Sequence, residues 1–193
     1  MTWQISVSEF ARIHRAVVDA GYGEDIKWSQ RLAEPATSDA FAREAIFVIC
    51  NSGMRFTVAQ GIFDRVMEFV TSGRSARGAF GHIGKTTAID AIWHHREALF
   101  REFLGAPNKV EYCQRLPWIG GITKYHLAKN LGVDVAKPDV HLQRLAAAAN
   151  DTVHGLCARL AVETGLRIAT VDVVLWRACA IGIINSRELQ VAA

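Results

Sequence analysis

Residues 116–146 read LPWIGGITKYHLAKNLGVDVAKPDVHLQRLA. Pro117 and the pair Gly120–Gly121 break one helical pattern before Ile122 or Thr123 opens the next, and Pro138–Asp139 starts a third. Glycines in the break let the backbone take positive φ and leave no Cβ between the turn and a neighbour, so the turn can lie flat against another surface. The first amides of the helix that follows lack internal partners and sit at the positive end of its dipole, which makes an anion such as a phosphate their natural guest. Lys124 and Lys129 add charge beside that contact. A grip of this kind holds a nucleic-acid backbone without reading its sequence. Asp139 stands where a helix dipole favours a carboxylate; its plain reading is a helix cap and its functional reading is a reactive carboxylate.

Outward from this stretch, apolar residues recur at helical spacing and alternating runs are scarce. Ser8 is placed to cap a helix through about Ala20, with Phe10, Ile13, Val17 and Val18 inward and Gly21 as its stop. Thr37 or Ser38 opens a helix that ends near Ser52–Gly53, and another runs from about Phe56 to Val70. Residues 71–85, TSGRSARGAFGHIGK, have no apolar period and read as a loop or lobe junction. Helices are then expected over about 86–103, 109–115, 122–131, 138–148, 152–164 and 170–184. The class is all-α, as two helical lobes within one domain spanning 1–193. Lobe 1 is expected from about 1–55 plus 150–193, and lobe 2, which holds the glycine turn, from about 56–149.

The chain has 193 residues, half of them apolar, enough to bury a core without staples. Its formal net charge is +3, from 22 Lys and Arg against 19 Asp and Glu, which permits an anionic partner and falls far short of a histone-like tail. Cys50, Cys113, Cys157 and Cys179 form no C-x-x-C pair, zinc ribbon or iron–sulfur spacing and read as reduced and mostly buried. No metal and no cofactor is expected. The opening MTWQISVSEFARIHR lacks the pattern of a signal peptide and no apolar run approaches a bilayer span, so a cytoplasmic protein without a membrane partner is the expectation.

The L-P-x-I-G-G turn, the helix ending in Leu131–Gly132, and the D-x-H of Asp139 and His141 with Arg144 beyond it resemble the helix-hairpin-helix DNA glycosylase superfamily, endonuclease-III-like. The likeness covers about residues 40–185, and its specific part is 116–144. It implies that Leu116, Pro117, Trp118, Gly120, Gly121 and Thr123 form the DNA-holding hairpin, with Lys129 and His141 beside the strand and Asp139 as the catalytic carboxylate. EAIFVICNSGMRFTVAQGIFDRV, residues 44–66, resembles the family's early helix pair, whose turn faces the DNA; Asn51, Ser52, Met54 and Arg55 are the corresponding candidates. Trp118 stands where the family has a small glycine. Ile122 stands where bifunctional members carry a lysine nucleophile, and Lys124 lies two residues on, roughly 200° around a helix.

The function so implied is that of a DNA base-excision glycosylase, acting as a monomer on double-stranded DNA that carries a modified or mispaired base. The base leaves the stack, and Asp139 assists hydrolysis of its bond to the sugar. Met54, Arg55, Trp28 and Tyr22 are candidates for the wedge or stacking surface, and Glu24, Asp25 and Glu44 for reading a base edge. One alternative is a bifunctional glycosylase/lyase with Lys124 or Lys129 as the Schiff-base nucleophile; another is a DNA-binding protein without catalysis, and a third is an all-α protein–protein adaptor whose turn is only a helix connection. GHIGKTT at 81–87 ends like a phosphate-binding loop, but Ala79 occupies its first glycine position and no strand precedes it. Lys85, Arg74 and Arg77 are instead candidate phosphate contacts. His94 and His95 diverge by about 100° on a helix and do not pair on a metal.

Overall fold

The computed structural model describes residues 3–190 and among them contains helices and connecting segments but no strand, so the all-α class holds. By contacts the chain divides into two compact units: the described residues up to Leu32 together with those from Asp134 on, and Ala33–Val133. Residues 1–2 and 191–193 of the expected 1–193 domain lie outside the described residues. The unit boundaries fall at 32/33 and 133/134, rather than at 55/56 and 149/150.

In the first unit, Ser6 and not Ser8 caps α1 (Val7–Val17), its Oγ accepting from the Glu9 amide at 3.2 Å. Gly21, at φ 92°, does not end the helical path; it bends a wide turn over Val18–Tyr22 and α2 (Gly23–Arg31) follows at once. The other helices here are α8 (Val140–Ala148), α9 (Val153–Thr164) and α10 (Ile168–Ala180). α10 is the axis of the unit: it is buried on nearly every side, and α1, α2, α8 and α9 pack around it. Phe10, Ile13, Leu142, Leu145, Leu156, Leu160, Val171, Val174 and Leu175 share its core.

The second unit holds α3 (Ser38–Asn51), α4 (Phe56–Thr71), α5 (Ile83–Gly105), α6 (Lys109–Arg115) and α7 (Thr123–Asn130). Thr37 caps α3 through the Ala40 amide at 3.1 Å. α3 buries Phe41, Ala45, Ile46, Val48 and Ile49 against α4, α5 and α7. Those contacts explain the boundary: α3 shares its core with the glycine turn, whereas α8, which follows Asp139, packs on α9 and α10. Gly132 ends the last helix of this unit at φ 86°, and a Cβ there would collide with the backbone of Ala33 and Glu34.

Candidate functional site

The turn between α6 and α7 is exposed at Pro117, Trp118, Gly120, Gly121 and Ile122, and anchored by buried Leu116 and Ile119. It closes through Ile119 N–H to Leu116 O at 3.2 Å and Lys124 N–H to Gly120 O at 2.9 Å. Thr123 Oγ1 accepts from the Gly120 amide at 2.7 Å, which fixes the corner. Among the described residues, the amides of Gly121, Ile122 and Thr123 donate to no acceptor of the chain. Three consecutive donors at this exposed helix start are thus left without a partner among the described residues.

The left-handed position expected of Gly120 or Gly121 belongs to another residue. Trp118 takes it, at φ 67°. Its indole, 45% exposed, lies over Gly84 at the start of α5, where a Cβ would overlap the ring, and meets the His82 imidazole edge-on at 5.0 Å between centroids. The lack of a side chain at Gly84 is what admits a tryptophan to this corner.

One residue beyond, Lys85 is buried and donates to Ser52 O at 2.6 Å and Cys50 O at 3.4 Å. It therefore closes the C-terminal end of α3, and burial holds its amine below the usual lysine value. A phosphate contact by Lys85 is excluded by that geometry. Through this link the turn carrying Asn51, Ser52, Met54 and Arg55 joins the same unit edge as His82, Gly84 and Trp118. Asn51, Ser52 and Met54 are half-buried and Arg55 is exposed; α4 starts after Arg55 without a side-chain cap. Exposed Arg74 lies over the Phe69 ring and pairs with Glu68, and Arg77 is exposed.

Two lysines of the hairpin helix are placed otherwise than expected. Lys124 Nζ donates to Glu111 Oε1 and to Gln114 Oε1, each at 2.7 Å, and clips α7 to α6. The hydrogen bond it donates to Glu111 pushes its amine above the ordinary lysine value, the wrong direction for a Schiff-base nucleophile. Lys129 is buried, 8% exposed, rather than presented at the surface. On the α3 side of α7, Asn130 Nδ2 donates to Glu44 Oε2 at 3.0 Å; burial holds Glu44 above the ordinary carboxylate range. Asn130 Oδ1 is buried without a donor among the described residues.

Asp139 and His141 belong to the first unit. The segment leading to Asp139 is pinned along α10: Asp134 Oδ1 accepts from the Ala169 amide at 2.9 Å, and the Lys137 amide donates to Asp172 Oδ1 at 3.3 Å. Asp139, not Pro138, is the N-cap of α8, with Oδ1 accepting from the amides of His141 at 2.9 Å and Leu142 at 3.0 Å. The plain cap reading is thus correct for one oxygen. Oδ2 of this half-buried residue has no hydrogen-bond partner among the described residues. The His141 ring turns to Ser186, with Nδ1 3.0 Å from Oγ, and the Ser186 hydroxyl also neighbours the Cys179 thiol. Burial and then the charge of Asp139 push that thiol up to about 11.

Ser186 and Cys179 were not legible as neighbours of Asp139. Cys179 is placed by the last turn of α10 and Ser186 by the segment after it, and no spacing along the chain encodes the meeting. Tyr22 is not a free stacking surface: the Arg177 guanidinium lies over both its ring, at 4.3 Å, and Trp176, at 4.6 Å, and pairs with Asp25. Glu24 pairs with Lys27 at 2.8 Å, and Trp28 is exposed. Half-buried Arg144 lies on α8.

Among the described residues no group of three or more His, Cys, Asp or Glu is arranged to hold a metal ion, and no helix is long and apolar enough to cross a membrane. None of the four cysteines is joined in a disulfide, and all four are buried. No family model, curated protein or solved structure matches the chain.

Proposed function

We propose that the protein is a DNA base-excision glycosylase of helix-hairpin-helix type, acting as a monomer on duplex DNA that carries a modified or mispaired base. The observation that carries the reading is the turn exposed at Pro117, Trp118, Gly120, Gly121 and Ile122, with three consecutive amides, those of Gly121, Ile122 and Thr123, that have no acceptor among the described residues. Such a row suits a phosphate diester, whose oxygens accept several parallel N–H bonds. The enzyme part of the proposal rests on Asp139, whose Oδ1 is fixed by two amides while Oδ2 is left for chemistry.

In this proposal the hairpin amides hold the strand and the target base leaves the stack. As the base–sugar bond breaks, positive charge grows on the deoxyribose; Asp139 Oδ2 stabilises that charge and orients the attacking water. Neither step calls on Lys124, which is engaged by Glu111 and Gln114. The monofunctional reaction is therefore preferred to the lyase. A second reading, a DNA-binding protein without catalysis, is favoured by one observation, the use of Asp139 as a helix cap.

A panel of duplexes, each with one modified base, scored for abasic-site formation separates these readings. Base release from one duplex by the wild type, abolished in Asp139→Asn with duplex binding retained, is the expected result. Release that survives Asp139→Asn removes the carboxylate from the reaction, and salt-sensitive binding without any release supports the binding protein.

A further inference from the structure

We propose that Ser186 is a positioning residue that fixes His141 in the tautomer with its hydrogen on Nε2, offering that N–H to an anionic oxygen of the DNA strand beside Asp139. The anion-contact half of this inference rests on the DNA reading above; the Ser186–His141 link does not.

Ser186 is 3% exposed, and its hydroxyl lies 3.0 Å from His141 Nδ1. Either Oγ–H donates to Nδ1 or Nδ1–H donates to Oγ. In the second pattern the buried hydroxyl hydrogen is left to the neighbouring Cys179 sulfur, a weak acceptor, whereas in the first it goes to an imidazole nitrogen, a good one. The first pattern therefore places the hydroxyl hydrogen better.

With Nδ1 accepting, the ring hydrogen is on Nε2. Nε2 has no acceptor among the described residues, and the ring is half-buried. The same residue's backbone amide holds Asp139 Oδ1 at 2.9 Å. Ser186 therefore orders a ring donor and, through the same residue, the carboxylate's neighbour. The chemistry complementary to a fixed N–H, on the residue whose amide holds the Asp139 carboxylate, is a phosphate oxygen of the nucleotide being processed.

The test uses the full chain with ¹⁵N-labelled histidine, at alkaline pH, and a duplex carrying one tetrahydrofuran abasic-site analogue beside the same intact duplex. In the wild type, long-range ¹H–¹⁵N spectra are expected to show His141 with a bare Nδ1 and a protonated Nε2. Ser186→Ala should move both nitrogens toward the average of a freely exchanging ring, and Ser186→Thr should restore them. His141→Ala and Ser186→Ala should each weaken the analogue duplex by about tenfold, a loss typical of one hydrogen bond to a charged group, with Ser186→Thr close to wild type. A protonated Nδ1 in the wild type overturns the proposal whatever the variants do. So does a Ser186→Ala protein with unchanged spectra and affinity. Wild-type protein that binds neither duplex at low salt overturns the anion contact along with the DNA reading, and the spectra then judge the Ser186–His141 link alone.

Discussion

Lys85 Nζ lies 2.6 Å from the carbonyl oxygen of Ser52, so a buried ammonium takes the place of solvent at the end of α3. Lys85→Met removes the donor and leaves buried carbonyls of Cys50 and Ser52 without it. The expected cost is about 2–3 kcal/mol, read as a lower urea midpoint at unchanged slope. The salt dependence of DNA binding should stay the same, because this amine meets no phosphate.

Glu44 gives a pH dependence of definite sign. Burial raises its folded value above the 4.5 of the free group, so the folded chain binds the proton more tightly than the unfolded chain. The stability contributed by this group is full below about pH 4.5 and declines as pH rises through the folded value. Glu44→Gln removes that loss and gives Asn130 Oδ1 a neighbouring N–H. It should stabilise the protein by about 1 kcal/mol at pH 8 and by less at pH 4, measured by urea titration at both.

Gly84 and Trp118 should be energetically coupled. Gly84→Ala puts a methyl into the indole and is expected to cost about 1–3 kcal/mol, whereas the same change in a Trp118→Ala background should cost a few tenths. Additive losses in this double-mutant cycle would mean that the ring does not rest on Gly84.

Asp139 has a structural role that can be measured apart from the proposed catalysis. Asp139→Ala should lower stability by about 1 kcal/mol through loss of the α8 cap, and Asp139→Asn, which caps equally well, should leave it nearly unchanged. Thermal melts of the two variants provide the comparison.

Lys124 is expected to be dispensable for base release. Lys124→Gln should retain the wild-type rate on any duplex the protein cleaves, and borohydride should trap no covalent species with either protein. A trapped species that disappears in Lys124→Gln would establish the lyase.

Much of the helical order was readable because it is local. Thr37 as a cap, the 109–115 helix and the break at 116–122 follow from side chains within a few residues of the backbone they serve. The short helix α2 was hidden because Gly21 reads as a stop, whereas here it makes a bend. The site was less readable for the same reason in reverse. Lys85 and Ser52, Trp118 and Gly84, and His141 and Ser186 are separated by 33 or more residues and meet only through packing. A lysine in a glycine-rich stretch looks like a phosphate ligand until its acceptor is known. The carry-over of Gly120–Gly121 as the left-handed corner failed because a tryptophan can occupy that backbone conformation when its ring has a glycine to rest on.

The close approach of Gly132 to Ala33 and Glu34 means that the inserted segment begins and ends at one point. A polypeptide whose ends already touch loses little entropy when they are joined, so residues 33–133 form a natural candidate for excision and head-to-tail cyclisation. A glycine at position 132 is what keeps that doorway narrow.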